Sequence, residues 1–337
     1  MKSILVTGAN GFIGSHLMRY LREKGEQAHG MVRETSDLTL LQEMNPNLDG
    51  IELVYGDVCN IDSLKDAVKE KDIIINLAGK IKGTSQKVFN ETNVDGSVNM
   101  CKAILKWNPG IQRLVLTSSI TAGGPSPLGE VNTEDSPITK LKGDKYGISK
   151  RLMEEKTREF FDKIPISIVR PPIVLGPGDK PSLDLFKLPA SGKKLVLGKN
   201  KRLFSIVAVE DLCKGIYAMI TNDNAINERF YFTTGEPLDW GDLQEVIAKE
   251  AFSREKPLQT LRVPPWLAIA AGSILDFFGR ISGKPPFISK TKMIEGAATG
   301  WAASREKAEK ILGWKPKHTI STISNNAVEW YKKNGYL

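Results

Sequence analysis

The sequence predicts an α/β fold built on a doubly wound parallel sheet. In the first half of the chain, short apolar runs alternate with amphipathic stretches of helical period. Several runs are continuously apolar, as is typical of strands that are covered on both faces. Alternation at this pitch requires right-handed crossover helices on both sides of the sheet. The predicted strands are SILVTG, QAHGMV, IELVYG, DIIINLA, RLVLTSS and ISIVR.

The regular alternation ends near residue 176, in the Gly- and Pro-rich segment LGPGDKP. The later stretch FSIVAVEDLCKGIYAMI pairs a strand with a helix, so it is assigned back to the first unit. We therefore predict a large domain of residues 1–175 with 204–235, and a smaller mixed α/β domain of residues 176–203 with 236–337. In the second, Ser304 should cap a helix that stops at Gly313, because Pro316 prevents continuation.

Composition favours a globular protein of the cytoplasm. Hydrophobic residues make up 41% of the 337 residues and charged residues 26%, as is usual for soluble domains. The start MKSILVTG does not look like a secretory leader. Three cysteines are far apart without metal-ligand spacing, so we expect a reducing compartment and no metal site. The net charge is +8, but the one basic cluster lacks interleaved aromatics, which favours a solvated surface over a nucleic-acid partner; it comprises Lys193, Lys194, Lys199, Lys201 and Arg202.

A glycine-rich turn, TGANGFIG, follows the first strand directly and opens an amphipathic helix. Gly8 allows the tight turn, Gly11 leaves room for a pyrophosphate, and Gly14 lets the helix pack closely on the strand. The start of the helix, which includes Phe12 and Ile13, offers free N–H groups and a positive dipole end to phosphates. A turn without a ligand is the alternative, but the strand–turn–helix context favours a dinucleotide on a Rossmann domain.

The next strands predict the contacts of the adenosine half. Val32 stands where an acidic residue would hold a ribose 2′-hydroxyl, and Arg33 after it can bind a 2′-phosphate. We therefore prefer NADP(H), with NAD(H) and an exposed surface arginine as the alternative. Asp57, which precedes Val58, either accepts from the adenine amino group or caps the helix near Ile61. Where the fourth strand ends, the chain should pass beside the cofactor at Leu77, Ala78 and Gly79.

One serine, one tyrosine and one lysine form the candidate catalytic set. Tyr146 and Lys150 are four residues apart in YGISK, hence on one face of a helix. The ammonium should lower the pKa of the phenol and can reach the nicotinamide ribose. Ser119 ends the fifth strand, at the sheet edge where ligands bind, and can hold a substrate oxygen against Tyr146. Tyr20 and Lys24 repeat the spacing, but their place on the first helix argues against catalysis.

These residues resemble the extended branch of the short-chain dehydrogenase/reductase superfamily, of the NAD-dependent epimerase/dehydratase type, over nearly the whole chain. The segments that carry the resemblance are TGANGFIG, GDV, NLAG, TNVDG, LTSS, YGISK, RPPIVLGPGD, VEDL and SREKAEKILGWKP. It implies catalytic roles for Ser119, Tyr146 and Lys150. It further implies that Asn93 lines the site or braces its wall, that Pro172 lies beside the nicotinamide, and that the protein is a homodimer.

Within that superfamily the chain looks similar to dihydroflavonol reductases and 3β-hydroxysteroid dehydrogenases. Ile120 stands where the 4,6-dehydratases carry an acidic residue, and Ile173 where sugar-nucleotide epimerases usually carry Asn. Phe204 aligns with an arginine of those epimerases, although Arg202 is close enough to substitute. Apolar residues at polar positions indicate an apolar or aromatic ketone or alcohol as the substrate. The other predicted substrate contacts are Thr121 and two lysines that are either ligands of an anionic group or solvated, Lys80 and Lys82.

The stretch VPPWLAIAAGSILDFFGRI is apolar and predicted to be helical. Packing within the small domain is the favoured interpretation. A lid over a lipophilic substrate and a contact with a membrane surface are the alternatives. Asp276 and the short length argue against a membrane span.

The predicted activity is reversible hydride transfer between NADP(H) and a small-molecule secondary alcohol or ketone. The first alternative is a nucleotide-sugar epimerase or dehydratase that keeps its nicotinamide cofactor tightly bound. The second is a non-catalytic NADP(H)-sensing regulator, which is disfavoured because it would not need the Ser–Tyr–Lys set.

Overall fold

The computed structural model describes residues 1–282 and 289–337, and its largest element is a seven-stranded parallel sheet. The strands in chain order are β1 (Ser3–Thr7), β2 (Gln27–Val32), β3 (Ile51–Tyr55), β4 (Ile73–Asn76), β5 (Arg113–Thr117), β6 (Ile166–Val169), β7 (Ile173–Leu175), β8 (Lys193–Leu197), β9 (Leu203–Ala208), β10 (Arg229–Phe230), β11 (Thr234–Asp239) and β12 (Gln259–Val263). The large sheet has the order β10-β6-β5-β4-β1-β2-β3, and its strand pairs are parallel. The predicted α/β class and the six predicted strands are confirmed.

Helices cover both faces of this sheet. In chain order they are α1 (Phe12–Glu23), α2 (Thr39–Met44), α3 (Lys65–Val68), α4 (Gln86–Asn90), α5 (Gly96–Trp107), α6 (Ile120–Gly123), α7 (Lys145–Thr157), α8 (Leu183–Ala190), α9 (Val209–Thr221), α10 (Trp240–Phe252), α11 (Pro265–Ser282), α12 (Lys290–Ala297), α13 (Glu306–Leu312) and α14 (Ile320–Lys333). On one face α1 packs against α9, and on the other α5 packs against α7.

The double covering explains why the central strands are continuously apolar. Ile4 and Val6 of β1 belong to the core beneath α1 and α9, whereas Leu5 between them belongs to the core beneath α5 and α7. Successive side chains of a strand point to opposite faces, so both faces demand apolar residues here. All three side chains are fully buried, and each contributes about 1.5–3 kcal/mol of burial free energy.

Two small sheets lie outside the central one. A three-stranded sheet has the order β11-β9-β7, and β8 pairs in parallel with β12. The segment predicted to return to the large domain is therefore divided: β9 lies in the three-stranded sheet, whereas α9 packs on α1. Both domain boundaries remain predictions, and residues 283–288 of the predicted small domain lie outside the described residues.

Local signals set several helix ends. Residues 88–107 comprise the end of α4, a π-helical turn at Glu91–Asp95, and α5. The helix predicted to stop at Gly313 is α13, and Gly313 ends it in the left-handed conformation, with φ 63°. The N-cap of this helix is Arg305, without a side-chain cap, rather than the predicted Ser304. The Ser304 hydroxyl still accepts from the Glu306 backbone N–H at 3.2 Å, so it satisfies one of the free donors at the start of the helix.

The apolar stretch predicted to be helical forms α11, and over residues 265–277, whose side chains the structure describes, one face packs on the protein. Ala268 and Gly272 are buried, and a Cβ on Gly272 would lie 2.9 Å from the Ser289 carbonyl oxygen that precedes α12. Packing within the small domain thus explains the apolar residues on the buried face of this helix, but not those on its other face. Across residues 1–282 and 289–337, the structure contains no helix long and apolar enough to cross a bilayer.

Candidate active site

The turn between β1 and α1 is built so that only glycine fits its tightest positions. Gly8 has φ 66°, in the left-handed region, and a Cβ there would lie 3.1 Å from the Ala78 nitrogen. A Cβ on Gly14 would lie 2.2 Å from the Gly8 carbonyl oxygen. Any side chain at residue 14 would therefore push α1 away from the turn.

The start of α1 has the donors that an anion needs. Gly11 is its N-cap, with no side-chain cap, and the first turn holds no acidic residue. The first N–H to bond back is that of Ser15, which donates to the Gly11 carbonyl at 2.8 Å. The N–H groups of Phe12, Ile13 and Gly14 therefore point out of the helix end with its positive dipole. These donors and the small side chains of the turn fit a dinucleotide pyrophosphate.

On the adenosine side, Arg33 is exposed just after β2, and its backbone N–H donates to the Ser36 hydroxyl at 3.0 Å. Asp57 is half-buried, and its Oδ1 accepts from the Cys59 N–H at 2.8 Å. The helical turn that begins at Ile61 is capped by Asn60 instead, so the alternative of Asp57 as its cap is wrong. Val58 packs on α5, where a Cβ on Gly96 would lie 2.7 Å from its Cγ2.

The chain after β4 is fixed to the end of β1 by a short hydrogen-bond relay. The Thr7 hydroxyl donates to Asn76 Oδ1 at 2.6 Å and accepts from the Ala78 N–H at 3.0 Å. Leu77 and Ala78 are half-buried, and Gly79 is exposed. This segment therefore forms a fixed wall beside the glycine turn.

Asn93 braces the same wall. It lies in the π-helical turn, and its Oδ1 accepts from the Lys80 N–H at 2.7 Å while its Nδ2 donates to the Lys80 carbonyl at 3.0 Å. Nδ2 also donates to the Ser149 hydroxyl at 2.9 Å, which in turn donates to the Tyr146 carbonyl at 2.7 Å. One buried amide thus ties the wall to the helix that carries Tyr146.

The structure brings Ser119, Tyr146 and Lys150 together at the carboxyl edge of the sheet. Ser119 caps α6, and its hydroxyl oxygen accepts from Thr121 N–H at 3.2 Å and Oγ1 at 3.0 Å. Ser119 lies near enough to the Tyr146 phenol to lower its pKa. The Lys150 ammonium donates to the Thr117 carbonyl at 2.7 Å and lies 6.0 Å from the centre of the Tyr146 ring.

The pKa of Tyr146 shifts in the direction opposite to the expected one. Burial raises it, the hydrogen bond from Ser119 lowers it, and the carboxyl groups of Glu295 and Asp144 raise it further. Burial also lowers the pKa of Lys150 to about 8, although Glu154 acts against this shift. The Lys150 ammonium, which donates to the Thr117 carbonyl, is not among the groups that lower the pKa of Tyr146.

Two site residues from α12 were not predicted from the sequence. Lys292 lies with its ammonium 6.0 Å from the centre of the Tyr146 ring, and 3.0 Å from Glu295 Oε2. Glu295 is buried and faces Asp144, the N-cap of α7. Burial, followed by the charge of Glu295, raises the pKa of Asp144 to about 7. No spacing in the sequence relates α12 to α7, so only the folded chain reveals this group.

The raised pKa of Asp144 predicts a pH dependence of stability. Between about pH 4 and 7 the unfolded chain ionises at this position while the folded one stays protonated, so stability falls as pH rises. We expect the free energy of unfolding to drop between pH 5 and pH 8 by about 1–3 kcal/mol less in Asp144→Asn than in the parent chain. Urea unfolding at the two pH values measures this difference. Asp66→Asn is the control, because the hydrogen bond from Lys69 lowers the pKa of Asp66 and its removal should not make the drop smaller. An equal drop in the free energy of unfolding of the Asp144→Asn variant and the parent would contradict the assignment.

A buried ionic network holds the end of β5 against α7. Arg170 binds Glu154 through two hydrogen bonds, Nε to Oε1 at 2.8 Å and Nη2 to Oε2 at 2.7 Å. The Ser118 hydroxyl donates to the same carboxylate at 2.5 Å, and Arg170 also donates to the Tyr231 hydroxyl at 2.9 Å. Ser118 adjoins Ser119, and Glu154 lies one turn after Lys150. The network therefore fixes the distance between the catalytic candidates.

The other predicted contacts lie around an apolar cluster. Ile120 and Phe204 are buried together with Trp301, and Ile173 packs against them. The Phe204 ring lies 5.0 Å from that of Trp240. The remaining predicted residues lie at separate places: Pro172 is buried between β6 and β7, Thr121 is buried beside Ser119, Lys80 and Lys82 are exposed after β4, and Arg202 donates to carbonyls of its own loop at Leu197 and Asn200.

Comparison with known proteins shows the family and the fold of the chain. The family model described as the NAD dependent epimerase/dehydratase family matches residues 4–231. The chain is 27% identical to a UDP-glucose 4-epimerase of Vibrio cholerae, over 95% of this chain and 92% of that protein. It is 26% identical to a ceramide reductase of Caulobacter vibrioides, over 99% and 96%. The crystal structure of a dTDP-glucose 4,6-dehydratase from Bacillus anthracis in complex with NAD superposes with a TM-score of 0.77, at 20% identity, over 99% and 97%.

Proposed function

The chain belongs to the NAD dependent epimerase/dehydratase family, and we propose on that basis that it interconverts a ketone and a secondary alcohol on a largely apolar substrate, with NADP(H). Members of this group are NAD(P)-dependent enzymes of the extended short-chain dehydrogenase/reductase type. The finer assignment is supported above all by the grouping of three side chains: Ser119 lowers the pKa of the Tyr146 phenol, and the Lys150 ammonium lies 6.0 Å from the centre of the Tyr146 ring.

The proposed reaction couples a proton transfer, carried out by these residues, to a hydride transfer. A bound NADP(H) supplies or accepts the hydride. In the reducing direction Tyr146 gives its phenolic proton to the substrate oxygen, and in the oxidising direction the phenolate removes it. Ser119 donates to the same oxygen and holds it in place. Since Thr121 supplies donors to the Ser119 oxygen, the Ser119 proton is left for Tyr146 or the substrate.

Lys150 and the wall after β4 are placed to hold the cofactor. A Cβ on Gly79 would lie 3.3 Å from the Lys150 ammonium, so glycine leaves that ammonium open towards the wall. We assign Lys150 to the ribose next to the nicotinamide, and the donors of Phe12, Ile13 and Gly14 to the pyrophosphate. With a pKa of about 8, most of the lysine is charged at neutral pH. The charge favours phenolate once a substrate has excluded water.

The apolar cluster supports a lipophilic substrate. Ile120, Ile173 and Phe204 are the positions at which related sugar-nucleotide enzymes use polar residues, and here they join one buried apolar group. An apolar wall cannot satisfy the hydroxyls of a sugar, and each unpaired hydroxyl would cost about 1–3 kcal/mol. The similarity to a ceramide reductase points in the same direction.

The rival activity is that of an epimerase or dehydratase that returns the hydride to its own substrate. The similarity to a UDP-glucose 4-epimerase makes it the alternative to exclude. A screen of NADPH oxidation over ketones, with steroids, flavonoids and 3-oxoacyl compounds among them, should find at least one substrate that consumes NADPH in equal amount. Cofactor that co-purifies without exchange, together with epimerisation of a sugar nucleotide, would overturn the proposal.

The preference for NADP(H) rests on Arg33. We expect Arg33→Ala to weaken NADPH binding by about 10- to 100-fold, the value of a charge-assisted hydrogen bond, while NADH binding changes little. Titration of cofactor fluorescence measures both affinities. Arg158→Ala, an exposed arginine at the end of α7, should leave both unchanged. An equal loss for the two cofactors would show that Arg33 does not bind the 2′-phosphate.

The compartment and the assembly complete the proposal. The three cysteines are free, and two of them, Cys101 and Cys213, are buried. Free buried thiols suit a reducing compartment, which supports a cytoplasmic location. The homodimer remains a prediction that a sedimentation measurement can decide.

A further inference from the structure

The outward face of α11 is apolar along its described length. Exposed positions follow one another at i, i+4 and i+8, so they form a single stripe. Its largest members, Trp266, Ile274 and Phe277, are 70%, 59% and 62% exposed. Patches of this kind on soluble proteins are typical of contact surfaces. Between residues 266 and 277 the exposed side chains are Trp266, Leu267, Ala270, Ala271, Ile274, Leu275 and Phe277.

The opposite face keeps this stripe turned outward. Ala268 and Gly272 are buried on the side that packs against α12. Asp276 is the one charged residue in the sequence from 265 to 277, and it is half-buried and accepts from the Lys290 N–H at 3.2 Å. The helix therefore cannot bury its stripe by rotation without losing the packing on α12.

Basic residues border both ends of the stripe. At the start of α11, the Arg262 guanidinium donates to the Gly198 carbonyl at 2.5 Å. A Cβ on Gly198 would lie 3.3 Å from both Pro265 and the Arg202 guanidinium. At the other end Lys290 is exposed. Two further exposed lysines follow Gly198, one of them 3.8 Å from an Asp242 oxygen; they are Lys199 and Lys201.

We propose that α11 docks on the surface of a lipid bilayer that carries anionic lipids, with its stripe among the acyl chains and the bordering cations at the headgroups. An apolar stripe between cations matches the layered chemistry of such a surface. Trp266 at the end of the stripe suits the headgroup boundary. A second copy of the chain fits less well, because a two-fold pairing that aligns the two stripes along their length sets basic ends against basic ends.

The same docking would bring a lipophilic substrate to the start of the helix that carries Tyr146, an extension that rests on the proposed function. A shallow cavity of about 350 Å³ lies between the second half of α11 and the segment just before Tyr146. Phe277, Lys290 and Lys145 line it. A molecule that leaves the bilayer at Phe277 would reach the helix of Tyr146 within this cavity.

Sedimentation with lipid vesicles tests the docking without any need for turnover. The full chain is mixed with vesicles of phosphatidylcholine, with or without phosphatidylglycerol. We expect binding to the anionic vesicles that falls by about tenfold or more when Trp266→Glu and Ile274→Glu are combined. Leu128→Glu with Ile138→Glu is the matched control, since these side chains are 50% and 45% exposed elsewhere on the surface, and it should bind like the parent.

Fluorescence and salt separate the two parts of the docking surface. Lipids brominated in their acyl chains should quench the parent, and much less the Trp266→Phe variant, which still sediments with vesicles. Lys199→Glu, Lys201→Glu and Lys290→Glu together should abolish the preference for phosphatidylglycerol and its sensitivity to salt.

Three results would overturn the proposal. They are an absence of binding to either vesicle, equal binding by the parent and the Trp266→Glu, Ile274→Glu variant, and a dimer of the parent chain that this variant splits. The last would assign the stripe to a second copy. Each can be read whether or not the chain reduces ketones, so failure of the docking and failure of the proposed function are distinguishable.

Discussion

Tyr146→Phe is expected to reduce kcat by about 10²- to 10⁴-fold, the usual contribution of a positioned general acid. The change removes one hydroxyl, and with it the proton donor that lies near Ser119. The ring contact with Phe89, at 6.1 Å between centres, stays. NADPH affinity should therefore remain within about threefold of the parent value, since the lost group acts in the transition state.

Steady-state kinetics with a ketone from the substrate screen, and a separate NADPH titration, measure the two quantities. The chain provides its own control in the second Tyr-x-x-x-Lys pattern. Tyr20 packs on Tyr217 at 5.7 Å between ring centres, away from the sheet edge, so Tyr20→Phe should turn over at the parent rate. Full activity in Tyr146→Phe would refute the catalytic role of that phenol.

Arg170→Met is expected to lower the free energy of unfolding by about 3–5 kcal/mol, the cost of leaving a buried carboxylate without its partner. Arg170 and Glu154 are 2% and 8% exposed, so water cannot replace the lost guanidinium. The nearest other cation is Arg229, whose guanidinium is 4.0 Å from the Glu154 carboxylate, too far for a hydrogen bond.

Urea unfolding of the single and double variants distinguishes the loss of the ion pair from a loss of packing alone. Combining Arg170→Met with Glu154→Leu removes both charges, so the double variant should be more stable than Arg170→Met. The exposed pair Lys156 and Glu159, at 3.9 Å, is the control: Lys156→Met should change stability by less than about 1 kcal/mol. Strict additivity of Arg170→Met and Glu154→Leu would show that the buried pair is not coupled.

These two variants test different parts of the candidate site. Tyr146→Phe removes the reacting group and leaves in place the ionic network that positions Ser119. Arg170→Met weakens that network, because Glu154 also accepts from Ser118, the neighbour of Ser119. A fall in kcat of Arg170→Met at temperatures where it is still folded would therefore report a displaced Ser119 rather than a missing proton donor.

The sequence by itself determined the features that depend on neighbouring residues. The glycine turn is one, because the requirement for Gly8 and Gly14 arises within a single strand–turn–helix unit. The shared helix face of Tyr146 and Lys150 is another, since four-residue spacing brings side chains together on any helix. The strands of the central sheet were recognisable because burial on both faces demands continuous apolar runs.

Only the tertiary structure decided what depends on distant segments meeting. The upward shift of the Tyr146 pKa is caused by burial and by Glu295, which belongs to α12. The position of β9 outside the central sheet depends on pairing with β7 and β11. The sequence left open whether the second face of α11 is covered or exposed, because an apolar run reads the same in both cases. Local spacing fixes which side chains share an element, whereas charge, burial and exposure depend on every element that packs beside them.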